Sequence, residues 1–232
     1  MLKQLAARQK NFTSLLINIV NIMNQSDSLT ILSKVGAVIT DSHIVYTSGL
    51  HGSQYVNKDA LYPHTAETSL LCRVFAERFA RDNVDVVIAP ALGGIILSQW
   101  TAHHLSEMTG REVLGVYAEK IEGSKDFVIK RGYDKLLVGK NILVLEDILT
   151  TGGSVKKVIA LVRSLGGNVI GMGALFNRGG IRPEDVGNVS KLEALVTMEL
   201  QAWEPANCPL CAQKVPINTS VGKGREFLAS QK

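Results

Sequence analysis

The sequence predicts an α/β protein with a central, mostly parallel sheet flanked by helices and an N-terminal hood of helices and short strands. Three observations lead to this prediction. Apolar residues make up 46% of the 232 residues, which is enough for a substantial core. Between residues 65 and 200, short apolar segments alternate with helical patterns, as in parallel sheets that helices cover on both faces. No linker or internal repeat divides the chain, so we expect a single domain over residues 1–232.

The first 64 residues are predicted to form the hood. Apolar positions at helical spacing predict an amphipathic helix over residues 2–23 rather than a signal peptide. A short helix over residues 29–35 ends at Gly36, since glycine readily takes the left-handed conformation beyond a helix C-terminus. Three short strands follow, at residues 37–40, 43–47 and 55–58.

The core is predicted over residues 65–200 and a C-terminal tail over residues 201–232. Its helices are predicted at residues 65–82, 94–109 and 155–165. Its strands are predicted at residues 84–89, 112–119, 141–145, 168–177 and 191–200. Ligands of such sheets bind outside the carboxyl ends of the strands. The loops at residues 90–94, 119–131, 146–154 and 177–180 are therefore expected to line one crevice.

The charge pattern argues against a nucleic acid or a membrane as a partner. The net charge is +4, and the charges of both signs are interspersed along the chain. No apolar run reaches the roughly 20 residues that a membrane helix needs. Three cysteines, an odd number, do not suggest a disulfide framework, and a reducing cytoplasm is the expected location.

Two further features are interpreted as structural. Cys208 and Cys211 have the spacing of metal ligands, but they supply only two of the four ligands that zinc usually takes. We interpret them as a thiol pair, with structural zinc as the alternative, and assign no protein ligand to a metal. His51 lies in a predicted loop, and contact with a ligand is the alternative there.

The strongest functional signal lies between residues 141 and 158. A buried strand is followed by two adjacent acids, Glu146 and Asp147, and then by a short polar loop before a helix. That loop consists of Thr150, Thr151, Gly152, Gly153 and Ser154. Backbone N–H groups of a glycine-containing loop at a helix N-terminus form an anion site, to which hydroxyls add donors. The alternative is a capped turn with Ser154 as the N-cap.

The acid pair needs a partner. Two buried carboxylates repel each other and lose solvation unless they bind donors or a cation. The vicinal hydroxyls of a ribose supply two donors close together, and carboxylates only accept. An acid pair beside a phosphate cradle therefore predicts a ribose 5-phosphate site, with solvent-facing acids at a strand end as the alternative.

The segment "VLEDILTTGGS", residues 144–154, resembles the phosphoribosyl pyrophosphate signature of type I phosphoribosyltransferases. The resemblance implies the α/β fold of that family. It also implies that Glu146 and Asp147 hold the ribose hydroxyls, with Asp147 serving catalysis. By the same resemblance, the loop that follows holds the 5-phosphate.

Two segments resemble the base site of one member of that family, orotate phosphoribosyltransferase. "YTSGLHGSQYVNKDAL", residues 46–61, resembles the segment that closes over the pyrimidine, which implies substrate contacts at Ser48 and Gly49. "LFNRGG", residues 175–180, resembles the place where an arginine meets the base, which implies this role for Arg178.

Two more segments resemble the diphosphate site of the same family. "APALGGIIL", residues 89–97, resembles the pyrophosphate loop. The positions that the resemblance places at the diphosphate are Ala91, Gly93 and Gly94. "AEKIEGSKDFVIKRGY", residues 118–133, occupies the place of the mobile catalytic loop. The cations that the resemblance places there are Lys120, Lys130 and Arg131.

The resemblance implies a complete reaction. Orotate and phosphoribosyl pyrophosphate would give orotidine 5′-monophosphate and pyrophosphate, with Mg²⁺ on the diphosphate and ribose, in a homodimer. Two alternatives stay open at this point. One is a purine phosphoribosyltransferase, which shares the ribose phosphate loop. The other is a non-catalytic, nucleotide-sensing regulator of the same fold, although the first 28 residues are too short for a DNA-binding domain.

Overall fold

A computed structural model of the protein describes residues 23–230. A six-stranded sheet forms its centre. The strands are β5 (Val86–Pro90), β6 (Leu114–Lys120), β7 (Phe127–Val128), β8 (Asn141–Leu149), β9 (Asn168–Asn177) and β10 (Leu192–Thr197). Their order is β10-β9-β8-β5-β6-β7, and only β7 runs antiparallel to its neighbour within the described residues. The prediction of a mostly parallel sheet is confirmed.

Helices cover both faces of this sheet. They are α1 (Gln25–Lys34), α2 (Thr65–Phe79), α3 (Gly93–Thr109) and α4 (Gly153–Ser164). Two shorter helices, α5 (Pro209–Ala212) and α6 (Gly224–Ser230), belong to the C-terminal tail. Alternation along β5 divides the core in two: Val87 and Ala89 belong to the cluster with α2 and α3, while Val86 and Ile88 belong to the cluster with α4. This alternation follows from the period of two in a strand that is buried on both faces.

The hood consists of α1 and four two-residue strands. The strands are β1 (Val38–Ile39), β2 (Ile44–Val45), β3 (His51–Gly52) and β4 (Tyr55–Val56). Strand β1 pairs with β4, and β2 pairs with β3, both antiparallel. The short β3 lies where the sequence predicted a loop. The loop from Tyr46 to Leu50 therefore closes a hairpin, in which the Tyr46 N–H donates to the Leu50 carbonyl at 2.8 Å.

Helix α1 begins at Gln25, four residues before the predicted start. Asn24 and Asp27 form a reciprocal capping box, in which each side chain accepts from the other residue's backbone N–H at 3.1 Å. The polar run around residue 26 therefore starts a helix rather than breaking one. Gly36, with φ +74°, follows the C-cap Val35 as predicted. Most of the helix predicted at residues 2–23 lies outside the described residues.

The C-terminal tail packs against the hood. His51 and Trp203 exchange two backbone hydrogen bonds, each 2.8 Å long, and the Asn218 N–H donates to the His43 carbonyl at 2.7 Å. Short 3₁₀ turns at Lys58–Ala60, Tyr133–Leu136, Pro183–Val186 and Pro205–Asn207 connect the larger elements. None of the helices within residues 23–230 combines the length and the apolar character that crossing a membrane requires.

Candidate active site

A cavity of about 450 Å³ opens at the carboxyl ends of β5, β6 and β8. It brings together three of the four loops that were expected to share a crevice. The lining residues are Lys58, Pro90, Ala91, Leu92, Lys120, Lys125, Phe127, Glu146, Asp147, Thr151, Gly153, Ser154 and Lys157. A second cavity of about 360 Å³ shares Ala91, Leu92 and Lys120 with the first and reaches Arg131.

The acid pair lies within the last four residues of β8 rather than beyond its end. Strand β8 continues to Leu149, because its register with β9 runs on to the pair Leu149–Asn177. The prediction that the strand ends at residue 145 is therefore wrong. Glu146 and Asp147 are only 8% and 9% exposed, so the alternative of solvent-facing acids is also excluded.

Three of the four carboxylate oxygens of this pair already accept hydrogen bonds. Glu146 Oε1 accepts from the Asp147 backbone N–H at 3.0 Å, and Asp147 Oδ1 accepts from the Ile148 N–H at 2.7 Å. Asp147 Oδ2 accepts from Lys58 Nζ at 2.5 Å. The second oxygen of Glu146 is left for a donor or a cation that enters the cavity.

Burial of Glu146 favours its protonated form. Desolvation, and then the neighbouring Asp147 charge, raise the pKa of Glu146 to about 8. Burial opposes the charge of Lys58, but the hydrogen bond and the attraction to Asp147 outweigh it, so the pKa of Lys58 is raised. The site therefore holds the ion pair of Lys58 with Asp147, beside a glutamate whose burial favours its protonated form.

Replacing Glu146 with glutamine should stabilise the protein at high pH. Between about 4.5, the ordinary pKa, and about 8, the folded protein keeps a proton that the unfolded chain has lost. The free energy of unfolding of the wild type should therefore fall as the pH rises through this window. Glu146→Gln removes this loss, so at pH 8 and above the free energy of unfolding of the variant should exceed that of the wild type by up to about 5 kcal/mol. Urea unfolding of both proteins at pH 5 and pH 8.5 measures the difference.

The exposed Glu122 lies in a loop, so Glu122→Gln is the matched control and should leave the pH dependence of unfolding unchanged. An equal effect of Glu146→Gln at both pH values would contradict the raised pKa. Glutamine keeps an acceptor oxygen for the Asp147 N–H, so the comparison isolates the charge.

The loop after β8 forms a cradle at the N-terminus of α4. Gly152 is the N-cap, with φ +71°, and a Cβ there would lie 2.8 Å from Val186 Cγ1. Only glycine satisfies both the left-handed conformation and this close approach. Helix α4 begins at Gly153, so Ser154 lies inside its first turn and is not the N-cap. Thr151, Gly153 and Ser154 line the cavity, and Thr150 is exposed beside them.

The loop after β5 lies directly against the acid pair. A Cβ on Gly93 would lie 2.7 Å from Asp147 Oδ2 and 2.6 Å from the Tyr62 hydroxyl. The close approach of Gly93 to Asp147 therefore requires glycine. Gly94 is buried in the first turn of α3, whereas Ala91 lines both cavities.

The cations in and around the β6–β7 loop, from Lys120 to Arg131, are arranged in two groups. Lys120 lines both cavities. Lys130 and Arg131 instead bind Glu119, at 3.4 Å and 3.0 Å, so their charges are partly balanced. Lys157 on α4 holds the loop through Asp126 Oδ1 at 2.7 Å and the Lys125 carbonyl at 3.0 Å. Lys157 therefore adds a cation to the cavity and ties the loop to α4.

Arg178 and the Ser48–Gly49 turn lie outside the lining of the first cavity. The Arg178 N–H donates to the Leu149 carbonyl at 2.8 Å, which places the residue beside the end of β8. Its side chain is half-buried, and its Nε has no hydrogen-bond partner among residues 23–230. The Arg178 charge acts on the pKa of Tyr46: burial raises that pKa, and Arg178 opposes the rise. The Arg178 charge therefore lies near Tyr46, which belongs to the hairpin that carries Ser48 and Gly49.

Sequence reasoning missed several residues of the cavity. Lys58 lies 89 positions from its partner Asp147 and was assigned to a hood strand. Lys157 also lines the cavity without having been predicted, whereas Leu92 and Phe127 lie in loops that were expected to line it. A lone lysine carries no motif, so no local signal identified Lys58. His51 does not reach the cavity and lies instead beside His43 and the two cysteines of the tail.

Comparisons with known proteins agree with this geometry. The family described as "Phosphoribosyl transferase domain" matches residues 57–206. The chain is 38% identical over 194 residues to the orotate phosphoribosyltransferase of Pelotomaculum thermopropionicum, covering 84% of this chain and 95% of that protein. The orotate phosphoribosyltransferase of Thermotoga maritima is 32% identical over 194 residues, covering 84% and 97%.

A solved structure supports the fold. The crystal structure of Mycobacterium tuberculosis orotate phosphoribosyltransferase in complex with inorganic phosphate superposes with a TM-score of 0.58. The sequences are 19% identical, and the match covers 74% of this chain and 96% of that one. At this identity the likeness establishes the architecture, while the relatives that are more than 30% identical establish the family.

Proposed function

The chain belongs to the orotate phosphoribosyltransferase family, and we propose that it transfers the 5-phosphoribosyl group from phosphoribosyl pyrophosphate to orotate. The products are orotidine 5′-monophosphate and pyrophosphate, in the synthesis of pyrimidine nucleotides. One observation carries the proposal for the site. The buried pair Glu146–Asp147 and the glycine cradle at the start of α4 line the same cavity of about 450 Å³.

The reaction needs charge stabilisation and positioning rather than a protein nucleophile. N1 of orotate attacks C1 of the ribose as the bond from C1 to the pyrophosphate oxygen breaks, and that bond's electrons leave with pyrophosphate. C1 is cationic during this exchange, and negative charge builds up on the leaving group. Preorganised charges in a cavity shielded from water stabilise such a change.

The basic residues around the cavity match the leaving group. Lys120 and Lys157 line it, and their charges suit a diphosphate that gains negative charge as it departs. Lys130 and Arg131 bind Glu119 in this structure, so they reach a diphosphate only if the loop exchanges those pairs. We therefore assign Lys120 the most direct role among the predicted loop cations.

The acid pair suits the ribose. Once Glu146 releases its proton, both carboxylates accept hydrogen bonds only, and the two ribose hydroxyls both donate. The Asp147 carboxylate accepts hydrogen bonds from Lys58 Nζ and from the Ile148 backbone N–H, so its orientation is set before substrate arrives. A hydroxyl that binds here meets an acceptor whose geometry is already set, which lowers the entropy cost of ordering the site.

Mg²⁺ belongs to the proposal, and the donor set fits it. Mg²⁺ prefers oxygen ligands and commonly binds through one or two carboxylates together with substrate phosphates. The second oxygen of Glu146 faces the cavity in which the diphosphate would supply the remaining oxygens. When bound, the ion would neutralise charge on the departing pyrophosphate.

Orotate-dependent turnover that requires Mg²⁺ is the expected result of the first experiment. Purified protein is incubated with phosphoribosyl pyrophosphate, Mg²⁺ and orotate, and the ultraviolet absorbance of orotate is followed. Adenine, guanine, hypoxanthine and uracil should be poor acceptors. Reactions without Mg²⁺, and reactions with each base in place of orotate, are the controls.

The same assay decides between the alternatives. Turnover of a purine with a higher kcat/KM than orotate would establish a purine phosphoribosyltransferase. No turnover of any base, combined with tight binding of phosphoribosyl pyrophosphate, would favour a nucleotide-sensing regulator. The relatives that are 32% and 38% identical are both named for orotate, which favours orotate-dependent turnover over both of these outcomes.

The assembly and the location complete the proposal. A homodimer is supported by the family resemblance, and light scattering of the purified protein tests it. A cytoplasmic location is supported by the free cysteines Cys72, Cys208 and Cys211, which suit a reducing compartment. Fractionation of cells that express the protein tests the location.

A further inference from the structure

Two histidines of the hood and two cysteines of the tail meet outside the lining of the cavity. The cluster consists of His43, His51, Cys208 and Cys211, whose potential ligand atoms all lie within 4.8 Å of one another. Three of the four residues are buried: His51 is 0% exposed, His43 is 2% exposed and Cys208 is 3% exposed. The backbone hydrogen bonds between hood and tail hold the two pairs in place.

The spacing of the ligand atoms fits a tetrahedral ion. With Zn–S near 2.3 Å and Zn–N near 2.05 Å, a sulfur and a nitrogen on one ion lie about 3.6 Å apart. Cys208 Sγ and Cys211 Sγ lie 3.7 Å and 3.6 Å from His43 Nε2. Cys211 Sγ lies 3.3 Å from His51 Nδ1. The two nitrogens, 2.9 Å apart, would open to roughly 3.3 Å on an ion.

The surroundings orient one histidine as a ligand. His43 Nδ1 lies 2.7 Å from the Val215 carbonyl, to which it can only donate. The proton is therefore on Nδ1, and Nε2 directs its lone pair into the cluster. An N–H to carbonyl bond on the far side of a ligating imidazole is the usual support of a metal-bound histidine.

The charges of the cluster also balance. Two thiolates neutralise one divalent zinc ion, so the site would carry no net charge in its buried position. Zinc binding displaces the two thiol protons into solvent and leaves both imidazoles neutral. A pair of thiols alone leaves unexplained why two buried histidines direct ring nitrogens at the sulfurs.

We infer that His43, His51, Cys208 and Cys211 form a structural zinc site that fastens the C-terminal tail to the hood. The thiol pair favoured from the sequence supplies half of the ligands, and the β2–β3 hairpin supplies the others. His43 and His51 flank the loop that carries Ser48 and Gly49. The ion would therefore fix the base of the loop that is proposed to close over the pyrimidine.

Zinc content of the full-length protein is the direct test. Protein produced in zinc-supplemented medium, and dialysed under reducing conditions, should retain about one zinc per chain by mass spectrometry. Chelator-treated protein reloaded with Co²⁺ should show the absorption of tetrahedral cobalt with thiolate ligands. X-ray absorption at the zinc edge should give two sulfur and two nitrogen ligands.

Single substitutions locate the site. Cys208→Ser and Cys211→Ser should each lower zinc retention at least tenfold, whereas the matched control Cys72→Ala should keep it, because Cys72 is buried in the core away from the cluster. Removing zinc from the wild type should lower Tm, and adding Zn²⁺ should restore it, which keeps the test valid if a variant fails to fold. Less than about 0.1 zinc per chain after reloading, or equal loss in Cys72→Ala, would overturn the inference. None of these readouts depends on enzyme activity.

Discussion

Replacing Arg178 with alanine is expected to raise the KM for orotate by about 10- to 150-fold and to change the KM for phosphoribosyl pyrophosphate less than about twofold. The range corresponds to the roughly 1.5–3 kcal/mol of a charge-assisted hydrogen bond. Orotate carries a planar carboxylate, and a guanidinium matches it with two parallel hydrogen bonds. Steady-state kinetics with each substrate varied in turn measures both constants.

The position of Arg178 supports this expectation. It follows β9 directly, and its backbone N–H is fixed to Leu149 at the end of β8. Its buried Nε has no hydrogen-bond partner among the described residues, so the fold does not use this donor. An arginine at this position could instead form a surface pair with Glu184 or Asp185, the two nearest acids in the sequence. Asp185 Oδ2 instead accepts from the Arg182 backbone N–H at 2.9 Å, and no ion pair joins Arg178 to either acid within residues 23–230.

Two variants sharpen the experiment. Arg182→Ala is the matched control, since Arg182 is an exposed arginine four positions further along, and neither KM should move. Arg178→Lys should rescue poorly, because lysine offers a point charge and no planar fork. A parallel rise in both KM values, or no change in either, would show that Arg178 does not recognise the base.

The sequence predicted the central sheet well because its strands are buried on both faces. The apolar runs of β5 and β9 need no neighbouring element to be recognised. The limits of elements were harder to predict. The end of β8 depends on its register with β9, and the start of α4 depends on the left-handed Gly152 rather than on the hydroxyl of Ser154. Both are set by tertiary contacts.

Separation along the chain explains which parts of the site were predicted and which were missed. The acid pair and the glycine cradle lie within nine residues, so one segment revealed both. Lys58 meets Asp147 across 89 positions, and Cys208 meets His43 across 165. Such pairs leave no local pattern, because only the folded chain brings them together. The spacing of the two cysteines therefore indicated zinc only as an alternative to a thiol pair, and the two histidines of the proposed site were found only in the structure.

Replacing Asp147 with asparagine should lower kcat/KM for phosphoribosyl pyrophosphate by about 10- to 150-fold without unfolding the protein. The carboxylate would lose charge-assisted bonds to the ribose, each of roughly 1.5–3 kcal/mol. Asparagine keeps the shape, and its side-chain oxygen can still accept from the Ile148 N–H or from Lys58. Kinetics at saturating orotate measures the loss, and urea unfolding checks the stability.

Asp59→Asn is the matched control for this substitution, because Asp59 is the second carboxylate near Lys58. Its Oδ1 lies 3.9 Å from Lys58 Nζ, but its side chain is 77% exposed, so its charge is screened by solvent. It should leave kcat/KM within about twofold of the wild type. A similar loss in both variants would mean that the charge balance of Lys58 matters, and not contact with the ribose. Unchanged kinetics in Asp147→Asn at matched stability would place the ribose elsewhere. A loss confined to Asp147→Asn is the expected result, since Asp147, unlike Asp59, combines burial, a preset orientation and a place on the cavity wall.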